Sequence, residues 1–322
     1  MKLNHILLML VVLLASPLGA WSEVYPSRAV HLIVPFAAGG PADGIGRLIG
    51  PRLSEAMGQP VVIDNRAGAN SIVGSELASR ALPDGYTLVL VSAGFTVNAS
   101  LYSKLPFDPI KDFSPVSLVT LGPGILVIHA SLPVKNLLQL IALAKAKPGS
   151  LSYGSSGSGA PTSHLGMELL KVIAGIDVVH VPYRSMSPAI VDLLGGQIQM
   201  AIPTINVTLP HIISGRLRAL GVTSRERSSA VPQVPPLSEQ GMPDYEANNW
   251  YGLLAPAGLP KPIAETIYAD AAKALQLQDL KDRLSAVGMV AKAMSPENFG
   301  LYIKSEIVKW AKVVRASGAK PD

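Results

Sequence analysis

Two short stretches hold the residues most able to bind an anion. In LIVPFAAGGPADGIGRLIG, residues 32–50, an apolar run ends at Pro35-Phe36 and a small-residue turn follows, Ala37-Ala38-Gly39-Gly40. Asp43 then opens a helical pattern. Strand, glycine turn and helix N-terminus bring unpaired backbone N–H groups and the positive end of a helix dipole into one cleft. In YGSSGSGAPTSH, residues 153–164, Ser155, Ser156 and Ser158 would add hydroxyls to the backbone donors around Gly157 and Gly159, just before Ala160. Gly39 and Gly40 carry no side chains, so a ligand could approach that backbone closely. Either loop alone also fits an ordinary tight strand-to-helix turn; the pair points to capture of a small anion between two lobes. Asp43 has two readings. It could cap the helix by accepting early N–H groups, or it could hold water or a ligand ammonium.

Among charged side chains Arg184 stands out. It follows a strand pattern and precedes a helix start at Ser185-Met186-Ser187-Pro188. A forked guanidinium there could take a carboxylate in two hydrogen bonds, or it could be a solvated surface arginine. Phe36, Tyr153 and Tyr183 could wall a cleft or belong to the core, and Trp250 reads as core.

Other chemistry fits poorly. A nucleophile elbow needs G-x-S-x-G, and Gly154-Ser155-Ser156-Gly157-Ser158 misses the closing glycine. His180 and Asp177 near one strand do not define a triad. Dinucleotide binding wants a third glycine where Thr162 stands and an acidic residue after the next strand, and no phosphate-loop pattern GxxxxGK[ST] occurs. The histidines are His5, His31, His129, His164, His180 and His211; no pair has zinc-site spacing and cysteine is absent. No catalytic residue, metal or cofactor is therefore expected, and His164 is the histidine best placed to reach a ligand.

The elements that would position these loops alternate. Strand patterns cover 30–36, 60–64 and 87–91, with helical patterns over 43–57 and 72–81. This βαβαβ order argues for a parallel sheet flanked by helices. The pattern restarts with strands over 125–129, 151–154, 178–181, 198–202 and 217–222 and helices over 137–147, 162–174 and 188–194. Residues 224–243, rich in proline and serine, read as a surface connection. Residues 250–255 read as extended, and 261–276 and 296–316 as amphipathic helices able to pack back on the first lobe. The chain then crosses between lobes twice, which makes a hinge. Each lobe should be a mainly parallel sheet flanked by helices, with ligands held beyond the strand C-termini.

The first residues read as targeting sequence. Lys2, an apolar run over 6–14 and small residues over 15–20 match a secretory signal peptide. Cleavage would follow Ala20 or Ser22, and the run is too short for the alternative of a membrane-spanning anchor. The division expected is 1–22 signal peptide, 23–120 plus 224–322 first lobe, and 121–223 second lobe. With 322 residues, 48% of them hydrophobic, the chain can bury a large interior. Without cysteine it is held by packing alone in an oxidising compartment. The net charge of +5 comes from scattered basic residues, with no run suited to nucleic acid or a membrane surface.

At these loops the chain resembles the substrate-binding proteins of the tripartite tricarboxylate transporters, the Bug receptors. The motifs run in order: YPSRAVHLIVPFAAGGPAD, NRAGANSIVGSELASRALPDGYTL, LYSKLPFDPIKDFSPVSLV, LAKAKPGSLSYGSSGSG, HVPYRSMSPAIVDLLGGQIQM, GRLRALGVTSRERS and WYGLLAPAGLP. The resemblance covers residues 25 to about 318. The resemblance implies a two-lobed Venus-flytrap receptor in the periplasm, a monomer that binds a small organic carboxylate. It implies delivery to a two-subunit integral membrane transporter. A receptor that signals ligand presence to a membrane sensor, or a secreted α/β hydrolase, are the alternatives.

The resemblance also assigns residues. One half of a carboxylate pincer is Phe36, Ala37, Ala38, Gly39, Gly40 and Asp43. The other is Ser155, Ser156, Gly157, Ser158, Gly159 and Ala160. The rest of the pocket falls in 92–98, 183–187 and 203–206, with Ser92, Phe95, Arg184 and Asn206 as contacts. The chain departs from the family at Gly94-Phe95, where Thr-His is common. It departs again at Ala160, where a hydroxyl is common, and at Ser185-Met186-Ser187 and Pro203. Fewer polar groups and one more aromatic imply an aromatic or aliphatic monocarboxylate as ligand.

Overall fold

A computed structural model describes residues 25–157 and 159–320; the signal-peptide region and Ser158 lie outside them. Strands β1 (Val30–Val34), β2 (Val61–Asn65) and β3 (Thr87–Ser92) alternate with helices α1 (Pro41–Met57) and α2 (Ile72–Ser79). β1 pairs in parallel with β2 and β3, Val30 opposite Val61 and Leu32 opposite Leu88. Helix α1 starts two residues before Asp43, because extended Gly40 takes the N-cap and Pro41 the first helical position, where its missing N–H costs nothing. It stops at Gly58, whose φ of 67° lies in the left-handed region.

Helix α3 (Ala93–Leu101) follows β3, and then comes the long strand β4 (Phe113–Pro123). The second sheet is built from β5 (Ile125–His129), β6 (Ser152–Ser155), β7 (Val179–Pro182), β8 (Met200–Ala201) and β9 (Leu217–Val222). Its helices are α4 (Leu137–Ala146), α5 (Leu165–Ala174), α6 (Met186–Leu194) and α7 (Ile205–Ile213). The chain then returns through β10 (Asn248–Pro256), α8 (Lys261–Ala274), α9 (Gln278–Ala286), β11 (Val290–Ala291) and α10 (Pro296–Ser317).

The strand orders are β11-β4-β10-β3-β1-β2 and β7-β6-β8-β5-β9. Both sheets are mixed. The parallel halves, β2-β1-β3 and β7-β6-β8, are those that the alternating pattern foretells. The antiparallel halves hold the strands that carry the chain between sheets: β10 runs against β3 and β4, and β5 against β8 and β9.

The two crossings touch. Gly124 donates its N–H to Thr223 Oγ1 at 2.7 Å, and Thr223 donates its own to the Gly124 carbonyl at 3.0 Å. Ala247 N–H reaches the Thr223 carbonyl at 3.1 Å. A Cβ on Gly124 would stand 2.6 Å from Ile202 Cγ2 and 2.8 Å from Thr162 Cγ2, so a side chain here would press on residues of the second lobe beside the crossing.

Residues 224–243 are more than a surface connection. Val231 and Val234 are buried beside Ile125 and Val222, and Leu237 and Met242 join the core around Tyr153. Helix α10 is divided. Phe299 and Ile303 pack with Trp250 and Leu118 of the first sheet, while Trp310, Val313 and Val314 share a core with Leu126 and Leu170 of the second lobe. Trp310 is fully buried and donates its indole N–H to Glu306 Oε2 at 2.9 Å. Trp310→Ala is expected to lower stability by about 3–5 kcal/mol, as for other large buried aromatics. Equilibrium urea unfolding measures this, and a loss below about 1 kcal/mol would mean that α10 does not fasten the second lobe.

Candidate functional site

The first glycine loop is shaped by Asp43. Its side chain is buried, and Oδ2 accepts Gly39 N–H at 2.8 Å and Arg47 Nε at 2.8 Å. Oδ1 accepts Asn65 Nδ2 at 3.0 Å. The hydrogen bond from Arg47 and the one from Gly39 hold its carboxyl down at about 2, against the opposing effect of burial. Asp43 is thus not the N-cap, which is Gly40 and has no side-chain cap, and its carboxyl is turned to the loop rather than to the cleft wall. It reaches back from the third helical position, as the acidic residue of a capping box does. Gly39 needs its φ of 80° for this turn, and Gly40 N–H closes it on the Ala37 carbonyl at 3.2 Å.

The second loop is also braced from within. Ser163 Oγ accepts Ser156 N–H at 3.2 Å and lies 3.0 Å from Ser156 Oγ. Gly159 N–H donates to His164 Nδ1 at 2.8 Å, which requires that nitrogen to carry no proton. Gly157 N–H reaches Ser155 Oγ at 3.3 Å. Ser155 is fully buried, its Oγ 2.7 Å from His180 Nε2. This serine–histidine pair has the spacing of a nucleophile and its base, but the hydroxyl is fully buried and bonded within the loop, to Gly157 as well as to His180. Below it the His164 and His180 rings stack at 4.1 Å and Tyr153 stacks on His180 at 4.9 Å. Tyr153 donates its hydroxyl to Glu168 at 2.6 Å, and burial first, then this bond, pushes its phenol up.

Both loops face one cleft of about 530 Å³. Phe36, Pro41 and Ala42 line it from the first loop and Ser156, Gly157, Gly159 and Ala160 from the second. Asn70, Ser92, Gly94, Leu101, Tyr102, Asn249 and Tyr251 complete the wall. No ionisable Asp, Glu, Lys, Arg or His is among these residues. The polar groups at this cleft are hydroxyls, side-chain amides and the first-turn N–H groups of α1, whose first intrahelical bond begins only at Gly44.

Ala69, Asn70 and Ser71 have φ of 43°, 50° and 72°, a run of left-handed non-glycine residues at the cleft wall. Asn98 holds it: Asn98 Nδ2 donates to the Asn70 carbonyl at 2.8 Å and Asn70 Nδ2 to Asn98 Oδ1 at 3.0 Å. Such backbone persists where its surroundings over-determine it.

The structure redistributes the expected contacts. Phe36, Ser92, Ser156, Gly157, Gly159 and Ala160 line the cleft, and Gly39 and Gly40 line a chamber beside it. Phe95 does not. Its ring is buried, stacked on Phe107 at 5.8 Å and edge-on to Phe113 at 5.3 Å, because its position on α3 faces the core. Ala37 and Ala38 are exposed outside the wall, as is Arg184 at the start of α6. Tyr183 turns to Asp192, which accepts its hydroxyl at 2.7 Å; burial and this bond push the phenol up to about 12. Asn206 reaches across the lobes, donating to the Ala286 carbonyl at 3.5 Å.

Asn249 and Tyr251 were missed by sequence reasoning, and strand alternation could have found them. Trp250 between them is fully buried, so its neighbours on β10 face the other way.

Residues 45–319 match the model of a family described as "Tripartite tricarboxylate transporter family receptor". The chain belongs to this family. It is a family of solute-binding receptors, not of enzymes. The receptor is 37% identical over 309 residues to Protein BugT of Bordetella pertussis, covering 95% of this chain and 94% of that protein. Among solved structures, an R. palustris protein with adipate is 33% identical with a TM-score of 0.73, over 92% of this chain and 100% of that one. MatC from Rhodopseudomonas palustris with bound malate is 32% identical with a TM-score of 0.70, over 90% of this chain and 100% of that one. The two-lobed α/β fold is common to all three structures.

The Asp43 network carries a signature in acid. Its carboxyl sits below the ordinary carboxylate value of about 4, so its stabilisation is complete above about pH 4 and lost as pH falls through about 2. Asp43→Asn is expected to cost about 1–3 kcal/mol at neutral pH, and the difference from wild type should shrink between about pH 4 and pH 2. Urea titrations across that range decide it; a difference independent of pH would remove the charge from the account.

Proposed function

We propose that the protein is a periplasmic receptor that captures a small carboxylate between its lobes and delivers it to a two-subunit membrane transporter of the tripartite tricarboxylate type. The observation that carries this reading is the uncharged cleft: two braced loops and the α1 N-terminus converge on it, and among the described residues no side-chain cation lines it. A carboxylate can be held there by oriented dipoles, as anions are at helix N-termini. The family match and the neighbours solved with adipate and malate support the ligand class. The described residues contain no helix long and apolar enough to span a membrane, which fits a partner that supplies the channel. Closure about the Gly124–Thr223 crossing would trap the ligand through differential contacts in the closed state.

Within the class, the lining favours an aromatic or aliphatic monocarboxylate, or a dicarboxylate with an apolar middle, over a tricarboxylate. The support is the set Phe36, Leu101, Tyr102 and Tyr251 together with the missing cations, not the Gly94-Phe95 departure. A third carboxylate would find no counter-charge, and an unpaired buried charge is costly.

Thermal-shift and calorimetric titration with acetate, benzoate, malate, adipate and citrate test the reading. Stabilisation by one or more of the first four, with citrate weaker, is expected. Clear stabilisation by citrate alone would overturn the preference. Ser156→Asp, which sets a negative charge on the cleft wall, is expected to weaken the bound acid by at least about 100-fold, roughly 3 kcal/mol. Near-wild-type affinity in that variant would place the carboxylate elsewhere.

A further inference from the structure

The cleft does not end at the glycine loops. Pro41, Asn249 and Tyr251 also line a second chamber of about 630 Å³ on the far side of the Gly39-Gly40 turn. Its walls are Ile45 and Leu48 of α1, Val287 and Met289 after α9, and Thr204 of the second lobe. Pro41, Gly44, Ile45 and Leu48 stand at helical spacing, so one stripe of α1 forms its floor. None of its lining residues is charged.

The glycines of α1 point to what the chamber is for. Gly46 and Gly50 sit close against their neighbours: a Cβ would stand 3.1 Å from Val34 Cγ2 at the first and 3.0 Å from Ile63 Cδ1 at the second, tighter than ordinary contact. Gly44 meets no such constraint. A Cβ there would have nothing within 4 Å, and its backbone is helical. A glycine inside a helix is destabilising relative to alanine, and neither packing nor backbone geometry accounts for this one. Its effect is to keep the chamber floor open beside Ile45 and Leu48.

We infer that this chamber is a subsite for the apolar tail of the ligand, so that the receptor selects carboxylates with an extended hydrocarbon body, the carboxylate held at the glycine loops and the tail passing Asn249 and Tyr251 onto the α1 stripe. Met289 suits such a role, since an unbranched thioether adapts to tails of different shape. This inference rests on the carboxylate-receptor reading above and deepens it.

Calorimetry with butanoate, hexanoate, octanoate and decanoate tests it on the full mature chain. Each added methylene that reaches the chamber should raise affinity about threefold to fourfold, the value of burying one such group. Gly44→Leu fills the floor and is compatible with the helix. In that variant butanoate affinity should stay within about threefold of wild type and the rise with chain length should vanish, since the added side chain takes the volume of the tail. Val287→Glu, at an exposed rim position, should flatten the series in the same way by placing a charge against the tail. Affinity that is flat or falls with length in wild type, or that still rises in both variants, overturns the subsite while leaving carboxylate binding intact. Absence of binding by these acids and by the dicarboxylates overturns the receptor reading together with it.

Discussion

Where the chain passes between its two sheets, the outgoing and returning segments are hydrogen-bonded to each other, Gly124 to Thr223 and Thr223 to Ala247. That contact decides where everything else lies. Beside it β4 and β10 lie together as an antiparallel pair of the first sheet. It also leaves the C-terminal ends of β1 and β6, and so both glycine loops, facing one gap. A Cβ at position 124 would collide with Ile202 and Thr162, which pack against the same crossing. Helix α10 spans the same seam from behind, one end in each core, so the lobes are joined by packing as well as by covalent crossings.

Given that frame, the loops are built to be stiff. Their amides face inward more than a simple anion cradle would suggest. Gly39 is held by Asp43, Ser156 by Ser163, Gly157 by Ser155 and Gly159 by His164. Side-chain braces of this kind fix the loop shape before a ligand arrives, so that less ordering entropy opposes binding. A buried carboxylate directly behind the proposed carboxylate site is not a contradiction. Its charge is matched by Arg47 on the outer side of α1, and what it leaves for the ligand is the geometry of the turn.

Much of this was legible in the sequence because it is local. Strand, glycine turn and helix start are decided by neighbouring residues, and both loops fall where the periodicity places them. Helix α3 was not legible, since AGFTVNASL is buried on most of its surface and shows no amphipathic period. For the same reason Phe95 could not be assigned a direction: on such a helix the sequence does not distinguish the face toward a cleft from the face toward Phe107 and Phe113. Asp43 was ambiguous because its partners, Arg47 and Asn65, come together only when β2 lies beside β1. Residues 231–242 look like a connection because prolines interrupt them, yet four apolar side chains there find cores that lie far away in sequence.

Among the described residues no charged side chain lines the cleft, and on the function proposed above that works as a selective device. A side-chain cation would add affinity for every anion in proportion to its charge and would favour polycarboxylates. On the reading proposed above, dipoles fixed by the fold act at short range and at one place, so they give no matching gain for each added charge, and a third carboxylate buried without counter-charge would be desolvated at a cost of several kcal/mol. Apolar contact with Phe36, Leu101 and Tyr251 then carries the remaining discrimination, and that contact grows with the hydrocarbon surface the ligand can bury. A mild positive net charge spread over the exterior can still draw anions toward the opening, so attraction is assigned to the surface and choice to the interior. On this logic the loops set the ligand class, while its size and shape are set by residues such as Gly44, Asn249 and Tyr251, which carry no charge.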